Sequence, residues 1–135
     1  MNQVTEVKHE GKTIAKLIPA DSWQEGLSFF SNDEDYLQVG TWSYDAGKQL
    51  ARHVHNQVYR SINRTHEVLY VRQGLIKATI FSLNQEEVGV LIVSVGDVLV
   101  LMDCSHGYEI LEDQTMVLEI KNGPYLGAEI DRRRF

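Results

Sequence analysis

The sequence predicts an all-β domain, and three observations carry that prediction. The apolar runs are short and rich in Val and Ile, and Gly, Asn and Asp punctuate them. No helix-length amphipathic pattern lies between them, as a parallel βαβ sheet would require. Residues 4–7 and 13–18 read as a hairpin spanning 4–18, turning at His9-Glu10-Gly11-Lys12 and suited to a sheet edge. Pro19-Ala20-Asp21-Ser22 ends it. Residues 23–30 are open between two conformations. Ser22 is a suitable cap for a short helical turn, and the adjacent Phe29 and Phe30 suit a buried extended segment equally well. Strands follow at 37–44, 49–56, 67–72, 75–82, 88–95, 98–102, 107–111 and 116–121, a series of short strands with close turns that fits a sandwich or barrel. Gly123-Pro124 closes the last strand and leaves the tail, 123–135, to lie across the body or reach a neighbour.

At 135 residues and 15.4 kDa, the expected organisation is a single domain, 1–135, with one core that needs no disulfide. A hydrophobic fraction of 43% with 24% charged residues disfavours disorder and coiled coil. Thirteen basic against nineteen acidic residues give a net charge of -6, which repels a phosphate backbone, so nucleic acid is not expected as a partner. The one basic run, Arg132 to Arg134, reads as a solvated tail. Cys104 is the only cysteine, which fits a reducing cytoplasm, and nothing reads as a signal peptide or membrane span.

Chemistry concentrates in residues 46–74. Side chains two apart on a strand share a face, so a strand at 49–56 points His53 and His55 the same way. Glu67 shares a face with Leu69 and Val71, which turns His66 to the opposite side. Further along, His106 has Tyr108 and Ile110 as face-mates. Three imidazoles and one carboxylate suit a borderline divalent ion.

These residues resemble the motifs of the cupin superfamily. The first motif is a Gly, five residues, His-x-His, three or four residues, Glu, six residues and Gly. Gly47, His53, His55, Glu67 and Gly74 match both halves, while residues 56–66 form an excursion longer than the pattern's middle spacing. The second motif survives as Gly96 and His106. Met102 and Cys104 stand at its proline and glycine places, and Ile110 at its asparagine place. The resemblance covers about 37–121. It implies a cupin-type double-stranded β-helix, the jelly-roll barrel, holding one divalent metal (Fe, Mn, Ni, Zn or Cu) at His53, His55, Glu67 and His106. It also implies a homodimer.

Plainer readings stand beside these. His-x-His arises by chance in strands, and Glu67 is equally placed for a salt bridge to Arg60 or Arg64. His66 and His9 read as surface residues, and Cys104 as an inert thiol with no cationic neighbour. Arg60 and Arg64 in the excursion are candidate clamps for a carboxylate or phosphate. Tyr108 is a candidate proton-transfer group. The expected function is a metalloenzyme of isomerase, epimerase or dioxygenase type acting on a small polar organic acid or sugar derivative. The alternatives are a non-catalytic domain binding such a ligand and a metal-free sugar-nucleotide ketoisomerase.

Overall fold

The computed structural model describes residues 3–135 and contains ten strands. Strands β1 (Thr5–His9) and β2 (Lys12–Ile18) form the expected hairpin, with His9 opposite Lys12 and both turn residues, Glu10 and Gly11, at positive φ. Two-residue turns of that kind match the twist of the strands they join. A 3-10 turn over Ala20–Ser22 follows. Then β3 (Gly26–Phe29) pairs with β4 (Gly40–Ser43), so the open segment at 23–30 resolves as extended chain.

The remaining strands are β5 (Glu67–Gln73), β6 (Ile76–Phe81), β7 (Glu87–Val93), β8 (Val98–Leu101), β9 (Ser105–Ile110) and β10 (Met116–Lys121). A short helix, α1 (Ala128–Asp131), lies in the tail, where Thr65 donates a hydrogen bond to Asp131. All pairings are antiparallel. One sheet has the order β1-β2-β8-β5-β10, a second β7-β6-β9, and β3-β4 form a third. None of them closes into a barrel.

Alternation along the strands explains the core. Leu69 and Val71 of β5, with Leu99 and Leu101 of β8, face Ile76, Ala78 and Ile80 of β6 and Leu91 and Val93 of β7. These residues fill the space between the two larger sheets. The other face of the five-stranded sheet, with Ile18, Val68, Val98, Val100 and Met102, is covered by Phe30, Leu37 and Val39 from the β3–β4 connection. Lys16, buried on that face, is satisfied by the Phe30 carbonyl at 2.9 Å and by Asp35 at 3.9 Å. The two sheets approach each other at the β1 and β7 end, where Val7 packs over Gly89. At the other end, β9 and β10 each have one edge without a neighbouring strand.

Gly74 and Gly96 both have positive φ, 86° and 84°. A Cβ on Gly74 would lie 2.7 Å from the Thr115 backbone, and one on Gly96 would lie 2.8 Å from Ala20 Cβ. Both positions therefore require glycine on two counts.

The expected strand at 49–56 is not formed. Residues 49–62 have no regular structure, are exposed throughout, and make no backbone–backbone hydrogen bond among the described residues. The chain becomes anchored only at its return to β5. There Tyr36 donates to Asn63 (2.7 Å), Asn122 donates to the Arg64 carbonyl (3.3 Å), and the His66 amide donates to Asn122 (2.7 Å). No described helix is long and apolar enough to cross a membrane.

Candidate functional site

Glu67 opens β5 and shares its inward face with Leu69 and Val71, as the period of two requires. On β9 the register sets His106 opposite Ile80, Tyr108 opposite Ala78 and Ile110 opposite Ile76. Those β6 residues line the interior, so His106, Tyr108 and Ile110 face inward from the second sheet. Two walls of the sandwich thus meet at one cluster, beside the open ends of β9 and β10.

The Glu67 side chain is only 7% exposed, and a carboxylate so placed is costly unless it is paired. His106 Nε2 lies 2.7 Å from Glu67 Oε1, and the Tyr108 hydroxyl donates to the same oxygen at 2.8 Å. Lys121 Nζ lies 3.8 Å from Oε2 and 3.5 Å from Glu119. Burial alone would raise the Glu67 pKa. The hydrogen bond and charge of His106, with hydrogen bonds from Tyr108 and Glu119, outweigh it and hold the group at about 2. Glu119 moves the other way, raised by burial and by sharing a hydrogen bond with the Glu67 carboxylate. The pair therefore divides its roles, Glu67 ionised and Glu119 the readier to hold a proton. Burial and the neighbouring carboxylate push the Tyr108 hydroxyl up, so it acts as a hydrogen-bond donor.

Sequence reasoning brought Glu67, His106 and Tyr108 to one cluster but missed Glu119 and Lys121. The signal lay in the pairing register: Lys121 stands opposite Glu67 and Glu119 opposite Leu69, which puts both on the same inward face of β10. Register across strands cannot be read from one strand alone.

Several other positions differ from expectation. His66 is not a surface residue. It is 7% exposed, stacks on Tyr36 with ring centroids 4.6 Å apart, and places Nε2 2.8 Å from Asp103 Oδ1. Asp103 also receives Lys12 at 3.1 Å and Arg64 at 3.4 Å. Burial would raise its pKa, but the hydrogen bond from His66 and those from Lys12 lower it. Arg64 is therefore engaged with Asp103, and Glu67 takes His106 in place of an arginine. Arg60 is exposed and makes no ion pair among the described residues. Burial raises the Cys104 thiol to about 12, which suits the inert reading.

His53 and His55 sit in the exposed 49–62 segment. Their rings meet edge to face at 5.0 Å, and His53 Nδ1 lies 3.1 Å from the Ala51 carbonyl oxygen. The chain thus forms two separate donor pairs, His53 with His55 and Glu67 with His106. Among the described residues no group of three or more His, Cys, Asp or Glu is gathered to hold an ion. In a single copy the four expected ligands do not fit one metal.

Two surface grooves, of about 380 and 530 Å³, lie elsewhere. The first is bordered by His9, Lys12, Asn84 and Asp103, the second by Glu25, Tyr44, Asp45 and Lys48. Comparison of the chain with family models, with curated proteins and with solved structures returns no match.

Proposed function

We propose that the protein is a cupin-type enzyme of isomerase or epimerase class that moves a proton on a small polar organic acid or sugar derivative, with the Glu67, His106 and Tyr108 cluster as its reactive centre. The observation that carries this reading is the buried carboxylate of Glu67 held 2.7 Å from an imidazole whose own side chain is 29% exposed. A carboxylate at one ring nitrogen fixes the tautomer and orientation of a histidine. With Nε2 committed to Glu67, the Nδ1 atom of His106 is the one left to accept or return a substrate proton. Tyr108 steadies the same carboxylate oxygen from the second sheet. Lys121, 34% exposed and on the same inward face, supplies a positive charge for the anionic group or developing oxyanion of such a substrate.

One further reading is favoured by the paired donors. A divalent metal at His53, His55, Glu67 and His106 would supply Lewis-acid chemistry, and it requires the two pairs to come together. The proton-transfer proposal has no step that depends on it.

The test is proton-deuteron exchange. A panel of keto and hydroxy acids and ketose or aldose phosphates is incubated with the protein in D2O and followed by proton NMR, with metal content measured in parallel. Deuterium should enter one substrate at the carbon beside its carbonyl, and His106→Ala should slow this by roughly 10² to 10⁴, the usual contribution of a positioned acid or base. Undiminished exchange in His106→Ala would refute the assignment. Binding of a panel member without any exchange would favour the non-catalytic ligand-binding domain.

A further inference from the structure

The open end of the sandwich presents two strand edges and a band of exposed apolar side chains. In β10 every residue is exposed. Val117 faces the interior side at 36%, while Leu118 and Ile120, at 56% and 49%, lie on the outer face beside Tyr70. On β9 the inward Ile110 is 60% exposed. A strand with an apolar outer face and one unpaired edge is suited to burial against an added strand.

The same chain contains a length of polypeptide with the matching deficiency. Among the described residues, 49–62 make no backbone–backbone hydrogen bond, and Val54, Val58 and Tyr59 are 83%, 58% and 89% exposed. The preceding β3–β4 hairpin exposes Leu27, Phe29 and Trp42 by half or more. Charge agrees as well. Residues 40–62 carry Lys48, Arg52 and Arg60 against the single acid Asp45. The surface from β9 through β10 carries Glu109, Glu112, Asp113 and Glu119 against the single base Lys121.

From these complementary features we infer that two copies exchange this segment. The β3–β4 hairpin and residues 49–56 of one copy add to the free edges of β10 and β9 of the other, with the exchange reciprocated by two-fold symmetry. A fully exposed aromatic removes roughly 150–250 Å² from water when buried, and Phe29, Trp42, Tyr44 and Tyr59, between 40% and 89% exposed, remove that fraction of it, with a comparable area lost from the surface that covers them. These four from each copy, with their aliphatic neighbours, can therefore reach the roughly 1,200–2,000 Å² of a stable interface. Exchange also completes the site. A strand added beside β9 carries His53 and His55 of one copy to the wall that holds His106 and Glu67 of the other. The location of this site rests on the function proposed above, whereas the exchange itself rests on edges, exposure and charge.

Cross-linking tests it without using any site residue. On a Cys104→Ser background, Val54→Cys and Glu109→Cys, which the exchange would place on the same outer face of neighbouring strands, are combined in one chain and treated with a bismaleimide about 10 Å long, a span tolerant of register given strands about 4.8 Å apart. Exchange yields a covalent dimer of twice 15.4 kDa at concentrations where light scattering already reports a dimer. A 15.4 kDa particle at micromolar concentration, a cross-link confined within one chain, or a dimer that forms no cross-link each overturns it. The unaltered protein provides a second measurement. Amide exchange in 49–56, β9 and β10 should be slow in the dimer and accelerate on dilution, and equal rates across a hundredfold dilution refute exchange. Failure of the proton-transfer assay alone would leave both results standing.

Discussion

Replacing Glu67 by Gln substitutes an uncharged amide of nearly the same shape for a carboxylate held at about 2, well below its ordinary 4.5. The amide mimics the protonated acid, so the stability difference between the two proteins follows from linkage. The full shift corresponds to about 3 kcal/mol at neutral pH. Part of this is returned. With the Glu67 charge gone, Glu119 no longer shares a hydrogen bond with a neighbouring carboxylate and ionises more readily, which leaves an expected gap of about 2 to 3 kcal/mol at pH 7. The sign is set by a depressed folded-state pKa. The contribution is complete above about pH 4.5, falls to about 1 to 2 kcal/mol near pH 3, and is under about 1 kcal/mol at pH 2. Urea unfolding of both proteins between pH 7 and pH 2, at one protein concentration, measures the gap directly. A gap that stays constant down to pH 2 would mean that Glu67 contributes by shape and not by charge. No gap at pH 7 would mean that the His106 and Tyr108 contacts fail to stabilise the ionised form, and the reactive centre would lose its anchor.

Four further outcomes are expected. Gly74→Ala should destabilise by about 2 to 4 kcal/mol, since it combines positive φ with a close approach to the Thr115 backbone, and an unchanged thermal midpoint would contradict that turn. Asp103→Ala leaves His66 buried without its partner and frees Lys12 and Arg64. It should cost about 2 to 3 kcal/mol and quicken proteolysis within 49–66, with identical digestion patterns counting against Asp103 as the tether. Cys104 should resist iodoacetamide at pH 8 in the folded protein and react on unfolding, and rapid labelling of the native state would contradict its raised pKa. Tyr108→Phe removes one of the two hydrogen bonds to Glu67 Oε1. It should slow the exchange reaction about tenfold while leaving the shape of its pH profile unchanged, and an altered profile would make Tyr108 a proton carrier in its own right.

Most of the strands, though not their order in the sheets, were legible in the sequence because each strand declares its faces locally. The alternation of Glu67, Leu69 and Val71, and of His106, Tyr108 and Ile110, predicted their inward orientation, and the register with β6 places the latter three as expected. The turn glycines were legible for an equally local reason, since Gly74 and Gly96 sit where φ is positive. The cross-strand neighbours were not legible. Glu119 and Lys121 enter the site only through the β5–β10 register, and His66 is buried because Tyr36 and Asp103, from distant parts of the chain, close over it.

The largest difference, at residues 49–56, has the same origin. Alternation marks a segment as able to form a strand, but a strand exists only where an edge accepts its hydrogen bonds. The His53 segment has strand-like alternation and no edge of its own chain beside it, while β9 and β10 have edges and no strand. If local pattern alone had failed, the segment would be expected to bury its apolar side chains in some other conformation. Instead Val54, Val58 and Tyr59 remain exposed, while β10 exposes apolar side chains of its own in Val117, Leu118 and Ile120. The strand expected at 49–56 is therefore not formed in the single chain, and the cross-linking and dilution experiments test whether a second copy supplies the edge that it lacks.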